Sequence, residues 1–245
     1  MNNTTVNSNV QIYCSNVMGL GFHNSNRFHL NRVPFKIKEM ISACKHVNTI
    51  FFAMETKLKS FHRQIKLPRG YKYVGETSCD SASGGIYVFM SNCFTIENKA
   101  RDVRVIYSKH AMFVRVKIGS EYLNLISVYL PSSKDETKKI MQEIDSFIET
   151  NNITKFSFFG DTNCDFKQPK HFSNALIISA FFEKYNLYNL AEKLNVDPRY
   201  TWRGRGGRMN SKSLIDHFFT NSDCFNKIEF SHSSFSDHKH IKVSN

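Results

Sequence analysis

No stretch of this chain comes near the ~20 consecutive apolar residues that a membrane-spanning helix needs; the longest largely apolar run, Ala175 to Phe182, falls far short. The first residues lack a basic segment followed by an apolar one, so no secretory signal is visible, and an intracellular protein without a membrane partner is the expectation. The 6 cysteines (Cys14, Cys44, Cys79, Cys93, Cys164 and Cys224) include no CxxC pair and have no histidine at zinc spacing. They read as reduced, mostly buried thiols in the core, not as a zinc site or a disulfide framework. Also missing are internal repeats, low-complexity tracts and any Pro/Gly/Ser-rich linker in the middle of the chain. One domain over residues 1–245 is therefore expected, with residues 1–8 flexible. Acidic residues are in deficit: 21 Asp and Glu face 33 Lys and Arg, a net charge of +12. That excess suits a polyanionic partner, nucleic acid or a phosphorylated surface, without choosing between them.

What the chain does have is material for a core: 41% hydrophobic residues, 13% aromatics and 22 phenylalanines, ample for a chain of this size. The most informative stretch is Lys155 to Asp165. Phe156, Phe158 and Phe159 make a run too short for a helix and read as a buried strand. It stops at Gly160-Asp161-Thr162-Asn163-Cys164-Asp165, where the glycine is expected to let the backbone turn out of the sheet. Asp161 and Asn163 can then face one cleft. The same residues suit an ordinary turn, so the stretch gains meaning from its company. Val10 to Val17 reads as a strand ending at Asn16 before Gly19. Thr49 to Met54 is apolar throughout, like a strand buried on both faces, and breaks into Glu55-Thr56-Lys57. Tyr122 to Tyr129 delivers Tyr129 ahead of Leu130-Pro131. Leu214 to Thr220 carries Asp216-His217, and Asp237-His238 announces a strand at His238 to Val243.

Between these lie the remaining elements. Pro34 opens a helix on Ile37, Met40, Ile41 and Cys44. Tyr71 to Glu76, Ile86 to Met90, Phe94 to Asn98, Val103 to Tyr107 and Met112 to Ile118 read as strands, several alternating apolar with charged residues. Ser133 to Glu149 has capping-box spacing at Ser133 and Glu136 and one apolar face of Ile140, Ile144, Phe147 and Ile148. Phe172, Ala175, Leu176, Ser179 and Phe182 mark a helix to about Tyr185, with a short piece through Leu194 after it, and Cys224 to Phe230 is a further strand. This order fits a two-sheet sandwich with helices outside.

Collected, the strand-end residues are Asn16, Glu55, Tyr129, Asp161, Asn163, Asp216, Asp237 and His238. A hard cation such as Mg²⁺ takes oxygen ligands from one or two carboxylates and keeps several waters, so Glu55 with help from Asn16 suffices as its anchor. A separate carboxylate can activate water, an amide can orient it, and a histidine held by an aspartate can stabilise charge on phosphoryl oxygens.

The motifs Asn16-Val17-x-Gly19-Leu20, Glu55-Thr56-Lys57, Tyr129 before Pro131, Gly160-Asp161-x-Asn163, Ile215-Asp216-His217 and Ser236-Asp237-His238, in this order, resemble the endonuclease/exonuclease/phosphatase superfamily over residues 10 to 243. The resemblance implies an α/β fold of the DNase I-like kind, a four-layer sandwich of two packed mixed β-sheets flanked by helices. It implies Mg²⁺ as cofactor, with Mn²⁺ as the alternative, held by Glu55 with Asn16 beside it and Asp237 on the metal side. Asp161 would activate the attacking water, and Asn163 would orient it or the phosphate. His238, oriented by Asp216, would contact the scissile phosphate, and Tyr129 would hydrogen-bond it. One departure matters: repair-type members carry an aspartate two residues after the first motif's Asn, where this chain has Met18. A thioether is a poor ligand for Mg²⁺, so the metal shell is leaner.

Within the superfamily, residues 160–165 and 213–221 are most similar to the endonuclease domain of non-LTR (LINE-type) retrotransposons. That domain nicks one DNA strand and leaves a 3′-hydroxyl that primes reverse transcription. The implied partners are double-stranded DNA and a reverse transcriptase domain in the same polyprotein; the implied compartment is the nucleus. Rival readings are an abasic-site repair endonuclease, a phosphatase, sphingomyelinase or deadenylase of the same fold, and a binding-only relative. Intact Glu55, Asp161, Asp216 and His238 argue against the last.

His217 and His240 are expected to point away from the cleft, on the opposite face of their strands. The glycine-rich basic loop Arg199 to Arg208 holds the single tryptophan; Trp202, Arg203, Arg205 and Arg208 are candidates for a DNA groove, with a solvated hairpin as the plainer reading. Lys57, Lys59, Arg63 and Lys66 are a second candidate phosphate track, with a solvated face as the plainer reading. If the loop grips DNA, neutralising Arg203, Arg205 and Arg208 weakens binding and flattens its salt dependence; an unchanged salt slope in a binding titration contradicts this.

Overall fold

A computed structural model describes residues 10–20, 35–44, 48–58, 65–77, 83–168, 172–204 and 211–245. The first half runs through β1 (Val10–Asn16), α1 (Phe35–Ser42), β2 (Asn48–Met54), β3 (Tyr71–Glu76), β4 (Ile86–Ser91), α2 (Lys99–Asp102), β5 (Val103–Tyr107), β6 (Ala111–Ile118) and β7 (Glu121–Tyr129). The second half continues with α3 (Lys134–Thr150), β8 (Ser157–Asp161), α4 (Phe172–Lys184), β9 (Tyr188–Asn189), α5 (Leu190–Lys193), β10 (Trp202–Arg203), β11 (Lys212–Ser213), β12 (Asp216–Thr220), β13 (Lys227–His232) and β14 (Lys239–Ser244). Two six-stranded sheets result, ordered β13-β14-β1-β2-β4-β3 and β5-β6-β7-β8-β12-β9, with β10 and β11 as a separate hairpin. Both sheets are mixed: β1 runs parallel to β2 and β7 parallel to β8, beside antiparallel neighbours.

The alternation of side chains along a strand sorts the apolar residues into layers. Ile12, Cys14, Ile50, Phe52 and Met54 point between the sheets, where Phe159, Phe218 and Val114 meet them. Tyr13, Phe51, Ala53 and Phe89 point outward and are covered by Ile37 and Met40 of α1. On the other side, Phe156, Phe158, Ile126 and Val128 face Ile140, Ile144 and Ile148 of α3 and Ile178, Phe181 and Phe182 of α4. Continuous apolar strands therefore bury both faces, and the expected four layers are observed. The Phe52 and Phe159 rings lock the two sheets edge to face at 4.9 Å. Among the described residues no helix is long and apolar enough to cross a membrane.

The expected elements are largely present, with instructive exceptions. Phe94 to Asn98 is not a strand: only Thr95 forms a bridge, to Lys117. The Asn98 side chain instead accepts from the Arg101 amide and caps α2, the kind of local competition that pulls Asn out of strands. The apolar face of α4 is turned from the expected one, since Leu176 is 56% exposed while Ile178, Phe181 and Phe182 are buried. Cys14, Cys44 and Cys164 are buried thiols as expected, but Cys93 and Cys224 are exposed. The expected flexible residues 1–8, Pro34, Cys79, Lys59 and Arg63 lie outside the described residues.

Gly160 is also not a turn residue. It lies within β8, level with Val128 on one side and His217 on the other. Its φ is +134°, and a Cβ there would sit 2.1 Å from the Val128 carbonyl oxygen and 2.7 Å from the Met54 sulfur. The residue is thus a close-approach glycine that lets β8 pass between its neighbours. Gly160→Ala should lower stability by about 2–5 kcal/mol, strain and overpacking together, in a urea titration; wild-type stability would contradict the packing argument.

Candidate active site

Strand register builds the site. Asp161 closes β8 and Asp216 opens β12, and the two stand directly opposite each other in the antiparallel ladder. The parallel pair β7 and β8 sets Tyr129 level with Asp161. From the facing sheet, β1 ends at Asn16 beside Met54, so Asn16 and Glu55 leave the same edge. All of these lie at C-terminal strand ends or strand starts on one rim of the sandwich.

Asp161 is 1% exposed and held from two sides. Its Oδ2 accepts from Asn16 Nδ2 at 2.8 Å, and its Oδ1 accepts from the Asn163 amide at 2.9 Å. Burial, and after it the negative charge of Asp216, pushes its pKa up to about 7, against the pull of His238. His238 Nδ1 lies 2.8 Å from Asp216 Oδ2, and its Nε2 lies 3.9 Å from both Asp161 Oδ2 and Asp237 Oδ1. Burial opposes charge on this ring, but the Asp216 carboxylate outweighs it and lifts the pKa to about 10. His238 is thus an imidazolium gripped at Nδ1 with Nε2 turned toward the other carboxylates. Asp216 Oδ1 is buried with no hydrogen-bond partner among the described residues. The Asp216 backbone is fixed by Thr201, whose hydroxyl accepts from the amides of Ile215 and Asp216.

The remaining expected residues are placed as follows. Asn163, at φ +48°, gives its Nδ2 to the Leu130 carbonyl at 2.7 Å, which fixes the direction of its amide. Glu55, at φ +52°, pairs with Lys57 Nζ at 3.0 Å. Its carbonyl accepts from the Gly19 amide, stitching the two strand-end loops together. Asp237 Oδ2 accepts from Trp202 Nε1 at 3.2 Å. Trp202, expected to reach DNA, thus anchors a site carboxylate through its indole. Arg203 is exposed on β10, while Arg205 and Arg208 lie outside the described residues.

Two partners, one buried and one half-buried, carried no signal in the sequence pattern. His110 brackets the end of β7: its carbonyl accepts from the Tyr129 amide, and its Nδ1 lies 2.6 Å from the Tyr129 carbonyl. Its Nε2 faces Glu136 Oε1 at 3.1 Å, and its ring stacks on Tyr129. Glu136 therefore serves His110, while Ser133 alone makes the expected helix cap. Lys36 of α1 donates to the Val17 and Gly19 carbonyls, holding the loop that follows Asn16. His217 and His240 point away from the cleft, as expected: His217 Nε2 lies 3.1 Å from the Cys164 carbonyl, and His240 Nδ1 lies 2.8 Å from the Ser15 hydroxyl.

The tightest set of potential metal-ligating atoms is Asp161, Asp216 and His238, all within 4.8 Å. The His238 imidazolium already stands against both carboxylates, hydrogen-bonded to Asp216 and 3.9 Å from Asp161, so the set suits proton handling better than cation binding. Glu55, Asn16 and Asp237 offer oxygen donors, the type a hard divalent cation prefers, and the charge on Glu55 is met by Lys57. The donor chemistry fits such an ion.

Comparison with known proteins bears on the fold. The architecture is that of the DNase I-like endonuclease and phosphatase class. Residues 123–242, close to half of the chain, match a family model described as endonuclease-reverse transcriptase. The AP endonuclease LMAP from Leishmania major superposes with a TM-score of 0.71 at 14% identity, covering 97% of this chain and 87% of that one. The endonuclease domain of TRAS1, a telomere-specific non-LTR retrotransposon, gives a TM-score of 0.65 at 14% identity, covering 96% and 97%. D. rerio TDP2 complexed with a single-strand DNA product gives 0.62 at 16% identity, covering 97% and 98%. Curated protein sequences give no match. The resemblance to the endonuclease/exonuclease/phosphatase superfamily and to non-LTR retrotransposon endonucleases is borne out, and nucleases of this superfamily generally use divalent metals.

His240 gives the site's surroundings a pH signature. Burial, then Lys242, lowers its pKa to about 4, with Asp216 pulling the other way. An unfolded histidine titrates near ~6.5, so between these values the unfolded chain binds the extra proton. Stability is then full above about pH 6.5 and falls as pH drops toward about 4, by on the order of 3 kcal/mol. Urea midpoints at pH 7.5 and 5 should differ less for His240→Gln than for the wild type; equal differences would contradict this.

Proposed function

We propose that this chain is a metal-dependent endonuclease that nicks one strand of double-stranded DNA in the nucleus and leaves a 3′-hydroxyl. A reverse transcriptase domain of the same polyprotein would extend from that end. The observation that carries the reading is the buried Asp161, held by Asn16 and the Asn163 amide, opposite an Asp216–His238 pair. A carboxylate with a pKa pushed up to about 7 is matched to proton abstraction near neutral pH. The family model's description, the likeness to the TRAS1 endonuclease domain and the +12 charge all favour this reading.

In this mechanism Asp161 takes a proton from the attacking water, a new P–O bond forms as the P–O3′ bond breaks, and the departing 3′-oxygen takes up a proton from solvent to become the 3′-hydroxyl. Asn163 orients the water or the phosphate. The His238 imidazolium, aligned by Asp216, stabilises the charge on the phosphoryl oxygens, and Tyr129 adds a hydrogen bond. A divalent cation held by Glu55, Asn16 and Asp237, Mg²⁺ with Mn²⁺ as alternative, would neutralise phosphate charge when bound. The second reading is cleavage at abasic sites, favoured by the likeness to the Leishmania major AP endonuclease; Met18 in an acidic position stands against it.

Supercoiled plasmid and an abasic duplex, each with Mg²⁺ or EDTA, separate the two. Wild-type protein should nick plasmid only with Mg²⁺, and Asp161→Ala and His238→Ala should each lose about 10²–10⁴-fold in rate. Equal rates for all three proteins would remove the mechanism, and cleavage confined to the abasic duplex would favour repair.

A further inference from the structure

Directly beside the site, two lysines flank a single phenol ring. Lys239 Nζ lies 4.2 Å and Lys212 Nζ lies 5.0 Å from the centroid of Tyr200. Lys239 also donates to the Pro198 carbonyl at 2.9 Å, which ties it to the residue preceding Arg199. Arg199 is exposed, with φ +57°. Its backbone amide is fixed by Asp197 Oδ1 at 2.8 Å.

These cations are not neutralised in the way others on the surface are. Lys57, Lys117, Lys184, Lys193 and Lys227 each pair with a carboxylate. Arg199, Lys212 and Lys239 have no such partner among the described residues. A cluster of cations without ion-paired partners is stabilised by a polyanion, and one ring holds both lysines within cation–π reach.

The cluster is continuous with the candidate catalytic residues. Lys239 follows His238, and its amide donates to the Thr201 carbonyl. Thr201 fixes Asp216, and Trp202 bridges to His238. Lys212 stands opposite Arg203 in the hairpin of β10 and β11.

We propose that Arg199, Lys212 and Lys239, arranged around Tyr200, form a phosphate track that holds the DNA backbone next to the scissile bond. It shares Arg199 with the basic loop but not Trp202, Arg203, Arg205 or Arg208, and it rests on the DNA-cleaving reading above. Its ligand is the phosphodiester backbone of duplex DNA, recognised by charge and not by base sequence.

The test is binding of a labelled duplex in EDTA, followed by fluorescence anisotropy from about 50 to about 300 mM salt, where each phosphate contact contributes ~0.9 to the slope of log K against log salt. Three proteins are compared: wild type, the triple variant R199Q/K212Q/K239Q, and the control K134Q/K138Q/K139Q, which removes the same charge from the exposed face of α3. The track variant should be shallower than wild type by about 2–3, and the control by less than about 1. The exposed single variant K212Q should lose about 0.9, so a misfolded triple variant leaves the proposal testable. An unchanged slope in the track variant or K212Q, or an equal loss in the control, overturns the track while leaving the DNA reading intact. A wild-type protein that fails to bind the duplex overturns both.

Discussion

Two carboxylates face each other across adjacent antiparallel strands, out of water, and the site depends on what keeps them there. Asp161 and Asp216 are a register pair, buried at 1% and 2% exposure. Like charges ~4 Å apart repel by about 1 kcal/mol in water and about 4 kcal/mol in a protein-like medium. Compensation arrives from the opposite sheet. Asn16, at the end of β1, gives its amide to Asp161, and His238, just before β14, gives its ring to Asp216. The repulsion is thus held in check by groups that only the packed sandwich can supply.

Chemistry and folding are for that reason hard to separate in this molecule. The contact of Phe52 with Phe159 fixes the spacing of the sheets two residues before Asp161. The missing side chain at Gly160 lets β8 run against Val128 and Met54 without displacement. A slip of one residue between β8 and β12 would turn Asp161 or Asp216 to the wrong face. Asn16, Tyr129, Asp161 and Asp216 stand on strand ends, and their precision comes from register.

Much of this was legible in the sequence, because period-two burial and polar strand ends leave marks in one dimension. β3 and β5 were read with their observed bounds, and the strands ending at Asn16, just before Glu55 and at Tyr129 were placed within a residue, whereas β8 runs two residues past its expected end, through Gly160 to Asp161. What escaped depends on partners distant along the chain. His110 is one of many histidines until β6 and β7 pair and set it against Tyr129. Trp202 looks like a DNA-facing aromatic until the hairpin brings its indole to Asp237. The strand expected at Phe94 to Asn98 lost to a local cap, and Gly160 looked like a turn because a close approach to Val128 leaves no trace in the sequence.

The central claim is that a water held at Asp161 attacks phosphorus and the 3′-oxygen leaves. Cleavage of a defined duplex in ¹⁸O-labelled water, with both new ends analysed by mass spectrometry, tests it most directly. The expected result is one ¹⁸O on the 5′-phosphate and an unlabelled 3′-hydroxyl. A 3′-phosphate, or a 5′-phosphate without label, would contradict it.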